Sequence, residues 1–109
     1  MASGTSAETF VYDPSADSWT QVADNPSAVS AAGQAVLDGR LYSVGGCTTS
    51  ACTPMSSAVT AYDPATDTWE QLADYPAPVA FASCGAVGGE VVCTGGNTGS
   101  VALADTYAY

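Results

Sequence analysis

The feature that most restricts what this chain can become is an internal repeat. Phe10-Val11-Tyr12-Asp13-Pro14 returns as Thr60-Ala61-Tyr62-Asp63-Pro64, and Asp17-Ser18-Trp19 returns as Asp67-Thr68-Trp69. Ala23-Asp24-Asn25-Pro26 returns as Ala73-Asp74-Tyr75-Pro76, and Gly45-Gly46 as Gly95-Gly96. Every landmark recurs at an offset of 50 (62 − 12, 69 − 19, 76 − 26, 95 − 45). A third, partial copy, Thr106-Tyr107-Ala108-Tyr109, matches the Tyr12 and Tyr62 segment once the preceding loop shortens by three residues. A period this long stacks one supersecondary unit on copies of itself, and the core forms between units.

Within one period the signals are those of short strands. Gln34 to Leu37, Asp38-Gly39, then Arg40 to Val44 reads as a hairpin on a two-residue type I′ turn, because Asp-Gly accepts the positive φ angles that turn needs. Cys84 to Val87, Gly88-Gly89 and Glu90 to Thr94 repeat it. A third strand is expected near 58–62, a turn at Asp63-Pro64, and a fourth strand near 68–72. No window holds a sustained helical apolar period, so helix is not expected. Four short antiparallel strands per period is the pattern of a propeller blade. Residues 6–26 then supply the outer strands of a preceding blade. Residues 27–76 form a first full repeat, and 77–109 a second that lacks its last strand.

Charge removes several function classes. The net charge is −10, and Arg40 is the only basic side chain. Such a surface repels phosphate backbones and anionic bilayers, so neither nucleic acid nor a membrane surface is an expected partner. No stretch approaches the roughly 18 apolar residues of a membrane span. Met1-Ala2-Ser3-Gly4 does not open a signal peptide, which places any export signal upstream or leaves it removed.

The same landmarks carry a family resemblance. Leu41-Tyr42-Ser43-Val44-Gly45-Gly46, then Tyr62-Asp63-Pro64 and Trp69, resembles the kelch repeat. Val91-Val92-Cys93-Thr94-Gly95-Gly96 with Tyr109 is similar, and Tyr12-Asp13-Pro14 with Trp19 matches the outer half of a blade. The resemblance implies an all-β fold, a partial propeller of kelch-type blades. It leaves function open, since one fold serves many tasks. In that fold Gly45-Gly46 lets the chain leave the sheet where blades crowd, while Tyr12, Tyr62, Tyr109, Trp19 and Trp69 pack between blades. Trp19 and Trp69 as sugar-stacking platforms is the rival reading, and their identical placement in two repeats favours packing. The cysteine-bearing form is similar to kelch repeats of secreted bacterial proteins, some attached to subtilisin-like proteases.

Four cysteines permit three pairings. Pairing across Gly88-Gly89 sets Cys84 directly opposite Cys93, at a separation a disulfide can use. Cys47 and Cys52 share the loop after Gly46 and can close it. Two local bridges point to an oxidising, extracellular setting. A Cys₄ zinc site needs paired knuckles that these spacings do not supply.

The chain has no His, which removes Ser-His-Asp and Cys-His machinery and the imidazoles of a copper or catalytic zinc site. Asp13, Asp17, Asp63 and Asp67 repeat in register, which assigns them to turns rather than to a glycosidase pair. The expectation is a non-catalytic extracellular binding or scaffolding module with no cofactor. Its alternatives are a self-assembling subunit and an accessory domain of a secreted enzyme. Its partners are a protein or glycan ligand, together with further blades or, as a trimer or tetramer, other copies of the chain. The first candidate for ligand contact is the individual loop Cys47 to Ser57, through Thr48, Thr49, Ser50, Thr53 and Met55. A loop stapled only against proteolysis is the equal alternative.

Overall fold

The computed structural model describes residues 6–49, 51–98 and 101–109, so Ser50 of the candidate loop lies outside the described residues. Among them every regular element is a strand. β1 (Thr9–Asp13) and β2 (Ser18–Val22) form a two-stranded sheet. β3 (Gly33–Leu37), β4 (Arg40–Cys47), β5 (Met55–Asp63) and β6 (Thr68–Gln71) form a four-stranded sheet in that order. β7 (Ser83–Val87), β8 (Glu90–Thr94) and the later β11 (Thr106–Ala108) form a three-stranded sheet in the order β11-β8-β7. β9 (Asn97–Thr98) and β10 (Val101–Ala102) pair within the last long connection, a small hairpin not anticipated from the sequence.

Both glycine-turn hairpins take the expected register. Gln34 faces Ser43 and Cys84 faces Cys93. Their turn residues have positive φ throughout, Asp38 at 52° and Gly39 at 74°, then Gly88 at 58° and Gly89 at 83°. The third copy also falls in place. Tyr109 exchanges both backbone hydrogen bonds with Val91 (2.7 and 3.1 Å), as its counterpart Tyr62 lies opposite Leu41.

Two boundaries differ from the expectation, for one reason. The strand before Gly45-Gly46 does not end there. A bulge between Val44 and Gly46 absorbs the pair, and pairing resumes as Gly46 with Ser56 and Cys47 with Met55. β4 therefore runs to Cys47 and β5 begins at Met55, so the loop is shorter than Cys47 to Ser57 and Met55 belongs to a strand.

The glycines still mark crowding. A β-carbon on Gly45 (φ 65°) would stand 2.3 Å from the Val79 carbonyl oxygen, and Gly46 donates its N–H to that same oxygen at 2.7 Å. Val79 belongs to the next repeat, so the pair is where two repeats touch. The core lies in that seam. Val59, Ala61, Val79, Ala82, Val91 and Cys93 are buried between the four- and three-stranded sheets, with Val79 and Ala61 at 0% exposure.

The two ends of the strands differ. At one end the connections are tight turns, residues 38–39, 64–67 and 88–89. At the other are the long connections, 23–32, 48–54, 72–82 and 95–105. Backbone bonds lace these together, from Phe81 N to Ala31 O (2.9 Å) and between Ala80 and Asn97 in both directions (3.0 and 2.9 Å).

Candidate functional site

The repeated aromatic residues form a clasp between units. Tyr62 stacks obliquely on Trp69, with ring centres 5.2 Å apart, and donates its hydroxyl to Asp67 at 2.9 Å. The same Asp67 oxygen accepts the Ala23 N–H at 2.9 Å, while the Trp69 indole N–H donates to the Ala23 carbonyl at 2.9 Å. Asp67 and Trp69 thus grip both backbone groups of one residue in the preceding unit. Tyr12, Asp17 and Trp19 repeat the local geometry, with a hydroxyl–carboxylate bond of 2.6 Å and ring centres 5.1 Å apart. Among the described residues they grip no backbone of a further unit, and Trp19 is 67% exposed.

The carboxylates of these turns are engaged locally. Asp13 accepts from the Ser15 hydroxyl (2.7 Å) and N–H (2.9 Å), bonds that hold its pKa below the ordinary value, and Asp63 accepts from Ala65 N. The Tyr12 phenol is raised by its bond to Asp17, and that of Tyr62 by burial first and Asp67 second. These groups hold turns and each other. No group of three or more His, Cys, Asp or Glu is arranged to hold a metal among the described residues.

The stapled loop sits at the end of the long connections. Cys47 and Cys52 are disulfide-bonded across five residues. Two of its hydroxyls turn inward: Thr48 donates to the Pro54 carbonyl and Thr49 to the Thr53 carbonyl at 2.9 Å, while the Thr53 N–H returns to the Thr49 hydroxyl at 3.3 Å. Thr49 and Thr53 remain exposed, so the loop offers a pre-formed surface whose polar groups are partly used.

Beside it the sequence reading missed Phe81. This side chain is 65% exposed on a residue held at φ 62°, at the end of the connection that leads into the three-stranded sheet. Its counterpart Ala31 has φ 57°, so the backbone shape belongs to the repeat and only the ring is particular to Phe81. Setting the repeats in register would have revealed an aromatic in the place of an alanine.

The seam between the larger sheets holds the second disulfide, Cys84–Cys93. Gly33 lies against it, and a β-carbon there would stand 2.6 Å from the Cys84 sulfur. Towards the outer edge the seam opens into a cavity of about 160 Å³ bounded by Tyr42, Val59, Tyr75, Val91, Tyr107 and Tyr109. Tyr75 meets Tyr107 edge-to-face at 5.2 Å, and burial raises its phenol pKa. Gly95 (φ 72°) and Gly96 (φ 89°) follow β8, and a β-carbon on Gly96 would stand 2.7 Å from the Val79 side chain.

Residues 29–74 match the Kelch motif, a span that contains the whole four-stranded sheet. Over 46 residues the chain is 39% identical to Kelch-like protein 35 of Mus musculus, covering 42% of this chain and 8% of that protein. The chain thus spans less than a tenth of the relative it matches. With the all-β antiparallel architecture, the match makes this a partial β-propeller in which residues 29–74 form a kelch-type blade.

Proposed function

We propose that this kelch-bearing chain is a non-catalytic module that binds a protein through the end carrying its long connections. Kelch repeats are in general protein-binding units, and the observation that carries the reading is the contrast between the two ends. The tight turns at 38–39 and 88–89 keep one length in both repeats, whereas the opposite end carries a disulfide-stapled loop in one repeat and the β9–β10 hairpin in the other. A scaffold held constant beneath individual loops is how binding surfaces are commonly built. Phe81 supplies an exposed aromatic anchor there, and Thr49 and Thr53 supply a polar rim. The net charge of −10 favours a basic partner surface. Two disulfides and the lack of lysine support an oxidising, extracellular setting, like that of the secreted bacterial kelch repeats the sequence resembles.

The test places a photo-cross-linking residue at position 81 or, as control, at position 87. Val87 is equally exposed (64%) but lies beside a tight turn. Irradiation with the secreted protein fraction of the expressing cells should give discrete adducts from position 81 and none from 87. Equal adducts from both positions would remove the assignment of function to the long-connection end.

A further inference from the structure

The cavity in the seam is walled by the four- and three-stranded sheets, the connection between them, and Tyr109 beside β8. Two of its tyrosines, Tyr42 and Tyr75, are more than nine-tenths buried, at 7% and 9% exposure. Neither hydroxyl has a hydrogen-bond partner among the described residues. Tyr12 and Tyr62, by contrast, donate theirs to Asp17 and Asp67. A phenol withdrawn from bulk water normally keeps a partner, since its hydroxyl both donates and accepts. Two such hydroxyls on one cavity call for an occupant that carries a polar group of its own.

The rest of the lining selects the charge of that occupant. Val59 and Val91 make apolar walls, and the Tyr75 and Tyr107 rings meet edge-to-face at 5.2 Å. Aromatic faces are negative and attract a cation, most strongly where water is excluded. Asp74 is an exposed member of the same lining. Burial, then Tyr107 and then the Asp105 carboxylate raise the Tyr75 phenol pKa, so a second acidic residue acts on the same ring. No basic residue lines the cavity, and the one cation of the chain, Arg40, is bonded to Glu70 at 2.7 Å.

We propose that this cavity binds a small quaternary ammonium alcohol of the choline type. A trimethylammonium head is weakly hydrated, so it leaves water readily and is drawn to the tyrosine rings and to Asp74. Its alcohol supplies the partner that the Tyr42 and Tyr75 hydroxyls lack. The size agrees: the cavity holds about 160 Å³, and one of about 150 Å³ admits benzene, a single heavy atom smaller than choline. A primary ammonium fits less well, because its three N–H donors each need an acceptor. A phosphate-bearing headgroup would set a second negative charge beside Asp74.

Titration of the full chain with choline tests this, followed by calorimetry and by the proton resonance of the choline methyl groups. Saturable one-to-one binding is expected, with the methyl signal moved upfield by the tyrosine rings. 3,3-Dimethylbutan-1-ol, in which carbon replaces the charged nitrogen, should bind about tenfold more weakly, and phosphocholine should also bind more weakly than choline. Tyr107→Leu, at a ring that is 37% exposed, should lower choline affinity about tenfold. Asp74→Asn, at an exposed position, should lower it severalfold while circular dichroism stays that of the parent. Tyr75→Phe keeps the ring and removes one hydroxyl, so it should weaken choline more than tetramethylammonium. The proposal is overturned if millimolar choline does not bind, or if the neutral alcohol binds equally, which would make the cavity an apolar hole. Tighter binding of phosphocholine would overturn it in favour of a lipid headgroup. Choline affinity unchanged by both Asp74→Asn and Tyr107→Leu would place the cation elsewhere on the acidic surface.

Discussion

The junction between β1–β2 and the four-stranded sheet and the junction between the four- and three-stranded sheets are built from the same repeat, yet they hold together differently. At the first, a carboxylate and an indole grip Ala23, and Asn25 meets Thr60, so the contact is made of directed hydrogen bonds. At the second, Val79, Val91 and Cys93 are buried, Gly33 seats a disulfide, and Tyr75 meets Tyr107 edge-on. The first junction can be undone bond by bond. The second resists because a close-packed seam tolerates neither a void nor an added atom.

The largest expected effect comes from adding one methyl group to the equivalent glycines 45 and 95. Both have positive φ, 65° and 72°, so alanine at either loses about 1 kcal/mol to the left-handed backbone. At Gly45 the new carbon also meets the Val79 carbonyl at 2.3 Å, whereas at Gly95 the nearest atom is the Leu103 carbonyl at 3.8 Å. Gly45→Ala should therefore cost about 3 kcal/mol or more and Gly95→Ala about 1, read from urea unfolding. Equal costs would mean that the packed seam does not govern the difference.

The contrast between junctions was only partly legible in the sequence. Gly-Gly and Asp-Gly turns two residues long fix the register of a hairpin outright, which is why the opposition of Cys84 and Cys93 could be read in advance. The landmarks Tyr12, Tyr62 and Tyr109 marked the strand order because the unit recurs, after 50 residues and then after 47. Gly45-Gly46 misled, since a glycine pair reads equally as a strand's end or as a bulge inside it, and only the Val79 backbone crossing above decides. Gly33 against the disulfide, the β9–β10 hairpin and the exposed Phe81 depend on which connection passes over which strand. Local periodicity carries none of that. The candidate loop at Thr48, Thr49 and Thr53 was visible as an irregularity between repeats, but the inward turn of two of its hydroxyls was not.

A smaller and more local effect should separate the junctions in hydrogen exchange. Asp67→Asn with Trp69→Phe removes the charge-assisted acceptor and the indole donor on Ala23, bonds worth about 1 kcal/mol each. The amides of β1 and β2 should lose roughly tenfold or more in protection, while those of β7 and β8 stay as in the parent. Equal loss in both sheets would show that the chain opens as one unit and that the clasp does not act alone.

The smallest effect is a coupling, and it asks whether the aromatic pair at the second junction can be exchanged for the polar pair of the first. Tyr75→Asn and Tyr107→Thr each remove one ring and strand the other beside a polar group, so each alone should destabilise the seam. Made together they rebuild the Asn25–Thr60 arrangement, in which an amide and a hydroxyl bond at 3.1 Å. The double variant should then be more stable than the sum of the singles predicts by about 1 kcal/mol, the size of an edge-to-face pair or of one net hydrogen bond. Denaturant midpoints at constant slope give the four free energies. Additivity within about 0.3 kcal/mol would mean that the two tyrosines contribute separately to the seam and that their place in the repeat, opposite one another, is not what holds them.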